Sequence, residues 1–446
     1  MKKHIFLSIT FIFILCMLIP SASALDDPGT AAKSAYVVEK SSGQVLYAKD
    51  EDAQVYPAST TKIMTTLLVL EAADRGDLSL YGTITASNTF DADLAEDGST
   101  SNIQPGEVMT VEELLDCVLI ASANEACNIL AEAVSGSTDA FVALMNERAA
   151  ALGCTGTHFA NAHGLPDADH YTTAHDMYLM VSEALTHSLF KEITATVTKT
   201  LPMTNMSEIR KLETTNSLIN PESDNYYEKT TGGKTGYTKE AGQCLVSTAR
   251  DGDLEIICVI MGVNIRGENE ATVFAEIPEE NHLTATKDLC EWVFANYSYQ
   301  DVLSTSERVA TAPVLYGDGT DSVGLVPEGS VSMLLPNDYS ADDIVRSVTL
   351  SSDEGETAPI TAGQVMGEMT LAYGDRTYGP VKLVAASAVE LSRSAYMLSH
   401  VKATLSQPIV IVAILVFVLL FVLYFVYAFR MRAKRRKNRR NRSRRS

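Results

Sequence analysis

Apolar and polar residues alternate from Ala35 to Glu39 and again from Gln44 to Lys49, with Ser41-Ser42-Gly43 between them. A period of two interrupted by turn residues predicts a β-hairpin. The pattern then changes. Ile63 to Leu70 is apolar nearly all round, with Pro57 upstream and Gly76 downstream, which predicts a buried helix with Ser59 at its N-terminal end. Thr110-Val111-Glu112-Glu113 before Leu114-Leu115 reads as a capping box. Gly136 and Gly153 punctuate the chain beyond it, so residues 110–185 form a helical region, with Ser122 where one helix gives way to the next. Gln243 to Thr248 and Leu254 to Val263 predict strands about a turn at Arg250-Asp251-Gly252-Asp253, placing Lys234-Thr235-Gly236 on the first of three antiparallel strands. Leu283 to Tyr297, with Trp292, predicts a helix covering that sheet. Strands at both ends with helices between imply an α+β domain over residues 25–297, an antiparallel sheet flanked by helices with a helical region inserted. From 298 to 391 the helical period gives way to short strands with Gly and Pro turns, a second, β-rich domain. No internal repeat is present.

Two apolar runs lie outside this pattern. Lys2 and Lys3, Ile5 to Ile19, and Ala22-Ser23-Ala24 make a secretory signal over residues 1–24. Ile409 to Phe429 is 21 residues without a charge, about 30 Å as a helix, and predicts a transmembrane span. Residues 392–408 link it to the β-rich domain. Residues 430–446 carry eleven Lys or Arg and no acid, which places this tail in the cytoplasm, against anionic lipid heads, and the chain before Ile409 outside.

The formal charge of −21 hides an asymmetry. Without Lys2, Lys3 and the basic tail, 22 Lys and Arg stand against 56 Asp and Glu, a net charge of −34. So acidic a body excludes polyanionic ligands such as nucleic acid. Six cysteines remain beyond the signal, none in a Cys-x-x-Cys and most among apolar neighbours, as in Ile256-Ile257-Cys258-Val259. They suit small buried hydrophobes, while pairing outside the cell stays open.

Three short motifs carry the chemistry: Ser59-Thr60-Thr61-Lys62, Ser122-Ala123-Asn124 and Lys234-Thr235-Gly236. Each alone is weak. Ser188-Leu189-Phe190-Lys191 and Ser399-His400-Val401-Lys402 also fit the first pattern, and Ser223-Asp224-Asn225 fits the second but lies eleven positions before Lys234. Only the Ser59, Ser122, Lys234 series, with separations of 63 and 112 residues, leaves room for the helical region between first and last. Residues i and i+3 share a helix face, so Lys62 stands beside Ser59. To accept its proton, Lys62 must be neutral, which burial or a second cation at Lys234 would favour. The backbone N–H groups of Ser59 and Tyr237 are natural oxyanion donors. Lys234 and Thr235 suit a substrate carboxylate, Ser122 a proton transfer to the leaving amine, and Asn124 a substrate amide. Such a catalyst, working by acyl transfer through a serine ester, needs no metal or organic cofactor.

With these motifs, Tyr56-Pro57-Ala58-Ser59, Ala140 to Asn146, Thr157-His158-Phe159 with His163-Gly164-Leu165, and Lys234 to Thr238 with Ala241-Gly242 make the chain resemble the serine D-alanyl-D-alanine carboxypeptidases, the low-molecular-mass penicillin-binding proteins. The segment with Pro359-Ile360 and Gly363 to Gly367 resembles the domain that follows the catalytic one in that family. The resemblance implies a β-lactamase/DD-peptidase-like fold. It also implies that Ser59 attacks the last peptide bond of a peptidoglycan stem pentapeptide and expels D-alanine, with Lys62 as base, Ser122 as relay and Lys234 as clamp, and that β-lactams acylate Ser59. Where some members hold the carboxylate with an arginine, Asn264 stands here and Arg266 is nearby; the acidic stretch Glu268 to Glu280 is long, and a spanning helix replaces the more usual amphipathic anchor. His163, His170, His175 and Asp176 offer metal-type donors. Thr173 with Asp176 reads instead as a capping box and His163-Gly164 as the family's turn, so no metal is expected. The rival readings are a β-lactamase, for which no Glu-x-x-Leu-Asn lies between Ser122 and Lys234, and a non-catalytic membrane-tethered sensor, for which the tail is short and basic.

Overall fold

The structure, a computed structural model, describes residues 25–95, 98–264 and 281–442, with side chains to 435. The signal segment, Arg266, the acidic stretch from Glu268 and the end of the tail lie outside the described residues. A first compact unit runs to Tyr299 and takes back Leu334–Asp338; a second holds Gln300–Met333 and the chain from Tyr339 onward.

The first unit opens with β1 (Ser34–Glu39) and β2 (Val45–Lys49), paired antiparallel as the alternation predicts. The Glu39 carboxylate accepts from the N–H groups of Ser41 and Ser42 and so fixes the turn. A 3₁₀ turn, Ala58–Thr61, leads into α1 (Lys62–Asp74), where every residue from Lys62 to Leu70 is buried. Two minor hairpins, β3 (Thr83–Thr85) with β4 (Val108–Thr110) and β5 (Thr198–Leu201) with β6 (Arg210–Glu213), flank the helical region. That region holds α2 (Val111–Leu119), α3 (Asn124–Ser135), α4 (Thr138–Ala151), α5 (Ala174–Ala184) and α6 (Ser188–Thr194). Thr110 caps α2 through the reciprocal box with Glu113, and Gly136, at φ 79°, ends α3. The chain returns through β7 (Thr230–Thr238), β8 (Gly242–Asp251) and β9 (Leu254–Val263), then α7 (His282–Asn296).

These strands complete one antiparallel sheet in the order β2-β1-β9-β8-β7. Its central strands read as continuous apolar runs because both faces are covered. Val246, Ile257, Val259 and Met261 join the large core shared with α1 to α6. Their neighbours Leu245, Ile256, Cys258 and Ile260 pack with Leu283, Leu289, Cys290 and Val293 of α7. Strand β7 forms one edge, so its far side is open to the turn that carries Ser59.

The second unit is β-rich. It takes strands from β10 (Tyr297–Leu303), β11 (Ala310–Leu315), β12 (Ser322–Pro327), β13 (Val331–Pro336), β14 (Val345–Leu350), β15 (Glu356–Thr357), β16 (Val365–Tyr373) and β17 (Arg376–Ala385). A six-stranded sheet runs β14-β16-β17-β12-β11-β15. Part of the segment between this unit and the apolar run is a helix, α8 (Arg393–Leu405), held by a hydrogen bond of 2.6 Å between Ser399 Oγ and Tyr316 Oη. The last helix, α9 (Pro408–Arg442), contains the one stretch among the described residues long and apolar enough to cross a membrane, Pro408–Arg435, in which a window of 18 residues reaches a mean hydropathy of 3.5. The six described cysteines, Cys117, Cys127, Cys154, Cys244, Cys258 and Cys290, are buried free thiols.

Candidate active site

Ser59 sits in the 3₁₀ turn, where Ala58 takes a left-handed φ of 48° and Thr60 donates both its N–H and its hydroxyl to Pro57 O. Lys62 comes one turn later, its Nζ 2.8 Å from Ser59 Oγ. The amine has two further partners, Asn124 Oδ1 at 2.7 Å and the carbonyl of His163 at 2.7 Å. Burial pulls its pKa from 10.5 down to about 8, against a smaller opposing pull from Cys127 and Glu125. Asn124 Oδ1 and His163 O accept only. Once the amine is neutral, its two remaining N–H groups stay with them and its lone pair faces the serine hydroxyl.

Ser122 occupies the junction between α2 and α3 at φ 62°. Its Oγ accepts from Lys234 Nζ at 3.0 Å; the same amine donates to Thr235 O at 2.8 Å. Lys234 is buried and its pKa lies well below the usual lysine value, through burial first and then through the charge on Lys62. The sequence offers two sources for a neutral Lys62, burial or a second cation at Lys234. Burial is the largest cause at both amines, and the repulsion between them adds to it.

Gly236 shows why a side chain is missing from the third motif. A Cβ there would stand 3.0 Å from Ser59 N and 3.0 Å from Pro57 O, so only glycine lets β7 lie against the nucleophile's turn. Ser59, Ser122, Asn124, Thr235, Gly236 and Tyr237 all line one cleft of about 610 Å³. Lys62 and Lys234 lie under its surface and reach it through the two serines. Asn124 gives its oxygen to Lys62, and its Nδ2 lies beside Gly98 at the wall of the cleft. The chance matches stand elsewhere: Ser188 and Lys191 on α6, Ser399 and Lys402 on α8, and Ser223-Asp224-Asn225 in a loop before β7.

Several lining and supporting residues escaped the sequence reading. Asn161 accepts from the N–H groups of His163 and Gly164 at 3.3 and 2.7 Å, holding the turn whose carbonyl serves Lys62. An asparagine two residues before His-Gly is a turn signal that could have pointed to it. His163 accepts from Leu165 N at Nδ1, which fixes the Nε2–H tautomer that donates to Asp93 at 3.2 Å. The other metal-type donors are engaged separately: His170 Nε2 with Thr61 Oγ1 at 2.8 Å, His175 with Asp52 at 3.5 Å, and the Asp176 carboxylate with Gly156 N and Thr157 Oγ1. Thr173 caps α5 by accepting from Asp176 N. Among the described residues no group of three such side chains could hold a metal ion.

Residues 21–265 match the D-alanyl-D-alanine carboxypeptidase family and residues 297–391 the C-terminal domain of penicillin-binding protein 5. D-alanyl-D-alanine carboxypeptidase DacF of Bacillus subtilis is 33% identical over 76% of this chain and 81% of its own. D-alanyl-D-alanine carboxypeptidase DacA of Escherichia coli is 29% identical over 81% of this chain and 87% of its own. The crystal structure of penicillin binding protein 5 from Haemophilus influenzae superposes with a TM-score of 0.60 at 25% identity, covering 82% of this chain and all of that one. A paired alcohol and amine, a second such pair across the cleft, a glycine that admits the strand, and likeness over most of the chain converge: the chain belongs to the D-alanyl-D-alanine carboxypeptidase family of penicillin-binding proteins.

Proposed function

We propose that this protein removes the terminal D-alanine from peptidoglycan stem pentapeptides through an ester on Ser59, on the outer side of a membrane that α9 crosses. The observation that carries the reading is the Lys62 contact set, which aims the lone pair of a depressed-pKa amine at the Ser59 hydroxyl. Ser59 Oγ attacks the carbonyl of the last peptide bond as Lys62 takes its proton. The backbone N–H groups of Ser59 and Tyr237 receive the oxyanion. Lys234 and Thr235 hold the terminal carboxylate, with Gly236 keeping their strand close. Ser122, whose oxygen Lys234 holds, relays the proton that Lys62 took from Ser59 to the departing D-alanine nitrogen, so that Lys62 returns to its neutral form, while Asn124 keeps Lys62 in place and meets a substrate amide. Water then releases the shortened peptide. β-Lactams present a similar acyl group and carboxylate and form a longer-lived ester. The eleven cations after Phe429 favour a cytoplasmic tail and an outward catalytic unit.

The test uses the full-length protein in detergent with a peptide ending in D-Ala-D-Ala. Ser59→Ala abolishes both D-alanine release and covalent labelling by a fluorescent penicillin, while Ser188→Ala and Ser399→Ala alter neither. Labelling that survives Ser59→Ala refutes the assignment. Turnover of penicillin as fast as of peptide would indicate a β-lactamase, and labelling without D-alanine release a sensor.

A further inference from the structure

Thr215 lies between β6 and a short 3₁₀ turn, Ser217–Ile219, outside all three motifs, yet it lines the cleft. Its backbone is fixed on both sides. Its N–H donates to Ile120 O at 3.3 Å, two residues before Ser122, and Thr214 N donates to Val197 O at 2.8 Å. Asn216, next along, is buried and accepts from Leu218 N. The Thr215 side chain is thereby presented, exposed, with Oγ1 2.5 Å from Oγ1 of Thr235.

Two hydroxyls hold two hydrogens, and their mutual bond uses one. The other is free for a ligand. A carboxylate only accepts, so it takes that hydrogen, and a chain O–H···O–H···O⁻ is polarised along its length. The amine of Lys234 stands one residue away. We propose that Thr215 is a positioning residue for substrate recognition: its hydroxyl donates to Thr235 Oγ1 and turns the Thr235 hydrogen toward the terminal carboxylate. The inference rests on the reading of Lys234 and Thr235 as the carboxylate clamp and adds a third side chain to it.

The experiment measures D-alanine release by the full-length enzyme from a peptide ending in D-Ala-D-Ala, with the matched C-terminal carboxamide as competitor. Thr215→Val removes the hydroxyl and keeps the shape; Thr215→Ser keeps the hydroxyl. A hydrogen bond serving a charged group predicts a rise in KM of about tenfold for Thr215→Val with little change in kcat. Carboxamide competition stays as in the parent, and Thr215→Ser retains the parent KM. An unchanged KM in Thr215→Val, equal weakening of acid and carboxamide, or a Thr215→Ser as impaired as the valine variant overturns the assignment. A parent enzyme that releases no D-alanine sinks the Ser59 reading and this inference together, whereas normal release with an unaltered carboxylate preference sinks only the role of Thr215.

Discussion

An ammonium group has three N–H bonds, and Lys62 finds three acceptors for them. Loss of the proton then has one consistent outcome, a lone pair toward Ser59. With the pKa lowered to about 8, roughly a tenth of the amine is neutral at pH 7, against about one part in three thousand for an exposed lysine. The second-order rate of acylation by a fluorescent penicillin therefore rises with pH through a midpoint near 8 and levels off above it. Lys62→Ala leaves only a slow, pH-independent residue of that rate. A parent profile flat from pH 6 to 9 would remove Lys62 as the base. The pairing of Ser59 with Lys62 was legible in the sequence because three residues along a turn bring two side chains together. The partners that aim the amine were not, since Asn124 and His163 stand 62 and 101 positions away and only packing unites them.

Between residue and molecule, the turn carrying Ser59 is held by its neighbours on two sides, and glycine makes each approach possible. Gly236 admits β7, and a Cβ on Gly164 would stand 1.9 Å from Ala58 O. Gly164 also has φ 91°. Gly164→Ala thus combines a backbone penalty of about 1–2 kcal/mol with a collision against a main-chain oxygen that cannot swing aside. We expect a stability loss of about 3 kcal/mol in denaturant melts and at least about a tenfold fall in penicillin labelling. Gly136→Ala, with φ 79° and nothing within 4 Å, is the control: it carries the backbone term alone and labels normally. The opening hairpin, the capped start of α2 and the three returning strands could be read from period and turn chemistry. The hairpins β3-β4 and β5-β6 could not. Their strands are three or four residues long, too short for a period to show, and β3 is separated from β4 by a long excursion that lines the cleft.

On the scale of the whole chain, composition already separated its parts, since 21 residues without a charge beside eleven cations need no coordinates to stand out. What the sequence left open was the segment before them, which folds as α8, and the continuity of α9 from the apolar run into the basic tail. A chain anchored through α9 stays in the pellet after alkaline carbonate extraction of membranes. Truncation ahead of Pro408 moves it to the supernatant with D-alanine release retained. A full-length protein freed by carbonate would argue against the span.

All six described cysteines are buried as thiols. Burial raises the pKa of Cys117, Cys154 and Cys244 to about 12, so reactive thiolate is scarce at neutral pH. The described fold thus draws no stability from a disulfide cross-link, and packing and hydrogen bonding hold it alone. Dithiothreitol should leave its melting temperature where it was, and maleimides should find the thiols only after the protein unfolds. The same polypeptide is then equally at home on either face of a redox boundary.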